Sequence, residues 1–237
     1  MARNDGRSFD QLRPVELAPG YLELHPTSCL IKMGFTWVLC VASVEDKVPS
    51  FLEGRGQGWV TAEYSMLPGS TRQRTPRERQ ASGRTQEISR LIGRALRGAV
   101  DLKQLGQRTI VVDCDVLQAD GGTRTASITG GYVALALALR HLSEKGLLPS
   151  DPPCKAVAAV SAGLLDGQLL LDLDYSEDSR ADADLNVVMD EEGNLVEVQG
   201  TAEGRSFGEA ALQRMLSMAR TGIGELLDAQ RQALGVS

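Results

Sequence analysis

Residues 109–142 read TIVVDCDVLQADGGTRTASITGGYVALALALRHL, and the rest of the chain is organised around this stretch. Ile110, Val112, Cys114 and Val116 fall on one side, with Asp113 and Asp115 on the other. This period of two, rich in β-branched residues, predicts a half-buried strand. Asp120-Gly121-Gly122 ends the alternation, because paired glycines allow backbone angles and close approaches that side chains forbid. Beyond the turn, Ile128, Tyr132, Leu135, Leu139 and Leu142 recur at helical spacing and predict one buried helix face. GGTRTAS therefore falls where a strand gives way to a helix. Unpaired N–H groups and the positive end of the helix dipole favour an anion there. Gly122 keeps the backbone approachable, Thr123, Thr125 and Ser127 supply hydroxyls, and Arg124 supplies a planar fork suited to phosphate. An ordinary capped helix with its arginine in solvent would use the same residues, so the remainder of the chain has to decide.

The 237 residues, 42% hydrophobic and 24% charged, have the composition of a soluble globular protein. No apolar run approaches the roughly 20 residues needed to span a membrane. The polar start, MARNDGRSFDQLRP, has no apolar signal core, so no membrane partner and a cytoplasmic location are expected. Cys29, Cys40, Cys114 and Cys154 show neither metal-ligand spacing nor a disulfide framework, and reduced, buried thiols are expected. His25 and His141 are too few for a histidine metal centre.

Net charge is −6, yet its distribution is uneven. Eight arginines (72, 74, 77, 79, 84, 90, 94 and 97) lie between Thr71 and Arg97 against Glu78 and Glu87, and nine acids lie between Asp172 and Glu192 against Arg180. One basic segment can bind a polyanion despite the overall charge.

Residues 1–20 read as a polar arm broken by Pro14 and Pro19-Gly20. Cys29–Met33 and Trp37–Val44 flank Gly34 as a hairpin, and Trp59–Tyr64 is a further strand. Residues 66–83 read as an exposed loop, either a solvated connector or a phosphate-contacting segment without sequence preference. Thr85–Val100 is an amphipathic helix, with Ile88, Leu91, Ile92, Ala95 and Ala99 inward, Arg90, Arg94 and Arg97 outward, and Thr85 as a possible cap. Arg84, just before it, could form a second jaw of a phosphate site with Arg124. Lys145–Pro153 reads as a linker. Ala156–Leu165 and Gln168–Leu173 form a hairpin about Asp166-Gly167, Leu185–Met189 and Leu195–Val198 form another, and Phe207–Leu234 is the closing helix. Both halves run from strands to helix, which predicts an α+β fold of two packed units, residues 1–150 and 151–237. Between the hairpins, the acidic loop 174–184 carries Asp178, Asp182 and Asp184 into Asn186. Crowded carboxylates suit metal coordination or acid catalysis, and equally an acidic surface loop. No Walker sequence is present, so the glycine turn is not a P-loop.

With these strings in place, the chain resembles the RNase PH family of phosphorolytic 3′→5′ exoribonucleases. The likeness covers nearly the whole length through DGRSFDQLRPV, FLEGRGQGWVTAEYSMLPGST, SGRTQEISRLIGRALRGAVDL, DCDVLQADGGTRTASITGGYVALALAL, YSEDSRADADLNVVM and EVQGTAEG. The arginine-rich loop before Gly83 is shorter than the family's, and Gly131 stands where an alanine is usual.

The resemblance implies two similar sheet-and-helix halves assembled as a hexameric homo-oligomer, a trimer of dimers. It implies phosphate binding by Arg84, Gly122, Thr123 and Arg124, with Thr125 and Ser127 adding hydroxyls. Asp178 and Asp184 would act as the catalytic pair or hold Mg2+, and Arg72, Arg74, Arg77 and Arg79 would contact RNA. The implied reaction removes 3′ nucleotides from tRNA precursors, with inorganic phosphate as co-substrate and nucleoside diphosphates as products, and is reversible. The alternative is a non-catalytic RNA-binding subunit of an exosome-like ring. With aromatics at 4%, base stacking is expected to be minor.

Overall fold

A computed structural model describes residues 3–74, 76, 83–149, 154–202 and 206–236. The expected alternation becomes the strand Thr109–Gln118, and the expected helix follows it as Thr123–Glu144. In chain order the strands are β1 (Val15–Pro19), β2 (Ser28–Met33), β3 (Thr36–Glu45), β4 (Trp59–Met66), β5 (Thr109–Gln118), β6 (Val157–Leu165), β7 (Gln168–Leu171), β8 (Ala183–Asp190) and β9 (Leu195–Ala202). The helices are α1 (Gly83–Gly98), α2 (Thr123–Glu144), α3 (Tyr175–Asp178) and α4 (Glu209–Leu234).

The first sheet has the order β1-β2-β3-β5-β4 and the second β7-β6-β8-β9. All pairings are antiparallel except β4 with β5, which run parallel because α1 carries the chain between them. The fold is thus α+β in two units, as expected, with the second unit smaller. Both expected hairpins of the second half form. Asp166 and Gly167, both at positive φ (50° and 78°), make the tight turn between β6 and β7.

α2 is the shared core. It packs against β2, β3 and β5 of one sheet and β6 of the other, and 14 of its 22 residues are buried. A helix flanked on several sides needs apolar or small residues all round, which explains GGYVALALAL. Cys29, Cys40 and Cys114 stand in one row across β2, β3 and β5 beneath it, free and buried as expected.

Four expectations are corrected. The polar arm contains β1, an edge strand between Pro14 and Pro19, where a proline's missing N–H is tolerated. That arm also contains Arg3 and Arg13, both buried. Helix α1 begins at Gly83, so Thr85 lies within its first turn. The acidic loop is mostly regular structure. Asp174 caps α3 by accepting from Glu177 N (3.0 Å), Glu177 accepts back from Asp174 N (3.1 Å), and β8 begins early enough to carry Asp184. Of the expected linker, residues 145–149 turn back on α2, Leu147 N donating to Leu142 O (2.9 Å), and 150–153 lie outside the described residues. Among the described residues no helix is long and apolar enough to cross a membrane.

Gly130 and Gly131, adjacent in α2, face different constraints. A Cβ at Gly130 would lie 2.6 Å from Ile31 Cγ2, whereas one at Gly131 would meet Leu96 Cδ1 and Val112 Cγ1 at 3.5 Å, ordinary contact. Gly131→Ala is therefore expected to stabilise by about 0.5–1 kcal/mol through lower chain entropy when unfolded. Gly130→Ala is expected to destabilise by about 1–3 kcal/mol, since Ile31 is fixed in β2. Urea midpoints of the two variants against the parent check both signs.

Candidate active site

The Asp120-Gly121-Gly122 turn is built for contact with the second unit. Gly121 has φ 76°, and a Cβ there would sit 2.6 Å from Leu173 O and 2.7 Å from Asp174 C. Gly122 has φ 65° and leaves Arg13 Nη2 only 2.9 Å from where its Cβ would be. A larger residue at Gly121 would push the second unit away, and one at Gly122 would displace the Arg13 guanidinium. Gly122 is also the N-cap of α2, and the first helical bond described runs from Ala126 N to Gly122 O (3.0 Å). The amides of residues 123–125 thus precede the helical ladder and mark the positive end of the dipole.

Arg13 holds this turn. Its guanidinium donates to Asp120 O (2.6 Å) through Nη1, and to both carboxylate oxygens of Asp172, Nη2 to Oδ1 at 2.6 Å and Nε to Oδ2 at 2.9 Å. Thr36 Oγ1 completes the brace, donating to Gly121 O (2.6 Å) and accepting from Asp120 N (2.9 Å). Burial alone would push the Asp172 carboxyl up, but the Arg13 guanidinium and its hydrogen bonds override this and hold it below the ordinary range. Arg3 makes the matching clamp on α3, donating to Glu177 Oε1 (2.8 Å) and Oε2 (2.7 Å), and so fixes the helix turn that ends at Asp178.

Between these clamped elements opens a cavity of about 670 Å3. Arg84 from α1, Gly122, Thr123 and Arg124 from the α2 start, Asp178 from α3 and Asp184 from β8 all line it. The two arginines expected to form opposite jaws therefore meet in one space, facing the two expected carboxylates. Arg124 Nε is buried without a hydrogen-bond partner, and Arg124 Nη2 touches Glu87 Oε2 at 3.3 Å. An orphaned guanidinium N–H in a cavity at a helix N-terminus suits an anion. Tyr64 OH lies 2.8 Å from Thr123 Oγ1 and fixes that side chain.

Thr125 and Ser127 are placed elsewhere. Both are fully buried, and their hydroxyls donate to Gly122 O (2.9 Å) and Thr123 O (2.8 Å), satisfying the helix backbone; neither lines the cavity. Thr125 points to the opposite side of the helix from Thr123, and Ser127, one turn further along the same side, already lies within the buried stretch of α2. The arginine-rich segment is also divided. Arg94 forms a two-pronged pair with Glu197 on β9, and Arg97 donates to Val60 O (2.8 Å) with its guanidinium 4.2 Å over the Trp59 ring. Arg72 and Arg74 are exposed and leave the fold beside Ser70, whose carbonyl accepts from Ala119 N (2.9 Å) next to the glycine turn. Arg77 and Arg79 lie outside the described residues.

A second cavity, about 650 Å3, sets Arg90 and Arg97 beside Glu63, Asp113 and Asp115. Burial and the neighbouring Asp115 and Glu63 charges raise the Asp113 carboxyl, so this space already crowds negative charge. It is a poor anion site, and the cavity at the α2 start is the better one.

Sequence reasoning missed Ser161, Asn186, Gln199 and Thr201, which line the first cavity from the second sheet. Thr201 Oγ1 donates to Asp184 Oδ1. Asn186, Gln199 and Thr201 lie inside the quoted strings YSEDSRADADLNVVM and EVQGTAEG, but nothing in those strings marks them as site residues, and only strand register brings them beside Ser161. Asp178 and Asp184 would suit Mg2+, which needs one or two carboxylates and keeps waters and phosphate oxygens as its other ligands. Among the described residues no group of three metal-binding side chains stands together.

Comparison with known proteins agrees along the whole chain. The 3′ exoribonuclease family, domain 1, matches residues 11–140, and its domain 2 matches residues 155–222. Ribonuclease PH of Corynebacterium efficiens is 57% identical, covering 99% of this chain and 97% of the relative. Ribonuclease PH of Neisseria gonorrhoeae is 54% identical, covering 98% and 97%. The Archaeoglobus fulgidus exosome with RNA bound to the active site has a chain of the same fold, with TM-score 0.80 and 23% identity over 96% of this chain and 92% of that one. Rice Rrp46 also shares the fold, with TM-score 0.79 and 19% identity over 98% and 100%.

Asp172 titrates below its ordinary value near 3.8 when folded. Its pair with Arg13 therefore stabilises fully above that pH, and the contribution is lost as pH falls through the folded value. Arg13→Met leaves the carboxylate buried and unpaired, and is expected to cost about 3–5 kcal/mol at neutral pH. Urea unfolding at neutral pH and at about pH 3 should find the parent's advantage over the variant shrinking in acid.

Proposed function

The chain belongs to the 3′ exoribonuclease family, matched in both of its domains, and on that premise we propose how its residues act. The protein is a phosphate-dependent 3′→5′ exoribonuclease and nucleotidyltransferase. The reading divides the chain into a phosphate-binding domain, residues 1–150, and an acid-bearing domain, residues 151–237.

Inorganic phosphate binds between Arg84 and Arg124, against the Gly122–Thr123 backbone and the Thr123 hydroxyl. The orphaned Arg124 Nε is the observation that carries this assignment, because it offers a donor that the protein itself does not use. Glu87 yields its contact with Arg124 to the incoming phosphate, which is the stronger acceptor. A phosphate oxygen attacks the phosphorus of the last phosphodiester in line. The bond to the 3′-oxygen of the preceding nucleotide breaks, and a nucleoside 5′-diphosphate leaves. The arginines offset the repulsion between two anions and stabilise the equatorial oxygens in the transition state.

Asp184, held by Thr201 and faced by Asp178, delivers a proton to the leaving 3′-oxygen. The alternative role for Asp178 and Asp184 is to hold Mg2+, which would supply positive charge at that oxygen in place of the Asp184 proton. Reversal of the same steps adds nucleotides from diphosphates.

Arg72, Arg74, Arg77 and Arg79 grip the RNA backbone upstream, a contact that should weaken steeply with salt. Precursors of tRNA are the substrate and a hexameric trimer of dimers is the assembly, as the family resemblance implies. Free thiols suit a reducing compartment, and we place the activity in the cytoplasm. A non-catalytic ring subunit would need none of Arg84, Arg124, Asp178 and Asp184, which share this cavity, so the catalytic reading is favoured.

The test is incubation with a tRNA bearing a short 3′ extension, with and without phosphate. Shortening should require phosphate and release nucleoside diphosphates. Arg124→Ala and Asp184→Asn should each lower kcat/KM by at least about 100-fold, with the fold retained by circular dichroism. Monophosphate release without added phosphate would overturn the mechanism. RNA binding without any shortening would favour the scaffold subunit.

A further inference from the structure

Register places Ser161, Asn186 and Gln199 side by side across β6, β8 and β9. One row along, the same face carries Asp184 opposite Thr201. Gln199 is thus a diagonal neighbour of Asp184, about 7–8 Å away between backbones and within reach of one bound sugar. Most of these polar groups already have protein partners. Asp184 accepts from Thr201, and Ser161 Oγ accepts from Leu173 N (3.2 Å). Gln199 differs, because its Oε1 is buried and has no hydrogen-bond partner. A buried acceptor left unpaired is costly, so in a substrate cavity it marks where a donor arrives.

The chemistry says which donor. Asp184 serves the leaving oxygen, the 3′-oxygen of the penultimate ribose. In RNA the adjacent carbon of that ribose carries a 2′-hydroxyl, a donor one bond further out. In DNA it carries only hydrogen. Resting on the site assignment above, we propose that Gln199 Oε1 accepts a hydrogen bond from the 2′-hydroxyl of the penultimate ribose. Gln199 is then a specificity-determining residue that selects RNA at the nucleotide left behind, separate from the groups that hold phosphate. Without the hydroxyl, Oε1 stays unpaired as in the free protein, so the deoxy substrate forgoes the bond that favours RNA.

Three oligonucleotides of one sequence test this: all-ribo, 2′-deoxy at the penultimate nucleotide, and 2′-deoxy at the terminal nucleotide. The parent should prefer all-ribo over penultimate-deoxy by about 10–100-fold in kcat/KM. Terminal-deoxy should differ little from all-ribo. Gln199→Met should remove the preference by slowing the all-ribo substrate toward the penultimate-deoxy rate. Gln199→Glu keeps an acceptor oxygen at the same reach and should keep the ratio, although both rates fall as its charge meets the backbone phosphate. A parent without the preference, a Gln199→Met variant that retains it, or one that slows all three substrates equally would overturn the inference. Arg124→Ala, assayed alongside, separates the two layers. If that variant keeps the parent's KM for phosphate, the site assignment itself fails, whatever the sugar ratios.

Discussion

The buried pair between Arg13 and Asp172 is the constraint on which the site depends. Asp172 has no solvent exposure and sits just beyond β7, in the second unit. Arg13 precedes β1, in the first. Two charges taken out of water need each other, and they need every remaining donor and acceptor matched. Arg13 meets this with both Asp172 oxygens and with the carbonyl of Asp120, so one guanidinium ties the second sheet to the turn before α2. Gly121 of that turn can then approach the Leu173–Asp174 backbone closely. Arg3 and Glu177 repeat the device for α3. The glycine turn at the start of α2 and the turn presenting Asp178 are therefore positioned by a single N-terminal segment.

With those elements fixed, the distribution of charge acquires a function. Both arginines come from the first unit, at the starts of α1 and α2 with Glu87 beside them, and Asp178 and Asp184 come from the second, on α3 and β8. A cavity between units can set opposite charges facing each other without letting them neutralise in one plane, since each side is braced by its own sheet. Phosphorolysis requires this arrangement. One side must gather two anions, and the other must serve a leaving oxygen. The parallel β4–α1–β5 crossover brings Arg84 to the same end of the fold as Arg124, because the helix returns the chain to the end of the sheet where it started.

Much of the architecture could be read directly. The alternation of Ile110 to Val116 and the spacing of Ile128 to Leu142 define a strand and a helix through their own periodicity, and tertiary packing kept both. Asp166-Gly167 defined its hairpin through φ > 0 chemistry. Arg3 and Arg13 were hidden, since a polar, proline-broken segment has the same composition in solvent as in a buried clamp. Thr125 and Ser127 misled for a related reason. A hydroxyl near a helix start can face a ligand or its own backbone, and only the packing around the helix chooses. Half of the apparent acidity of residues 172–184 likewise belongs to caps and buried pairs.

By itself the sequence determined the secondary elements, the α+β class, the glycine turn before the central helix and the chemical types available, because local periodicity, glycine conformations and side-chain chemistry are properties of short stretches. Tertiary structure alone decided that Arg84, Arg124, Asp178 and Asp184 share one cavity, and that Gln199 joins them with an acceptor unspent. Those facts depend on strand register and on which buried charges find partners across 159 residues of chain. Such pairings are chosen by the free energy of the whole fold, and no short stretch encodes them.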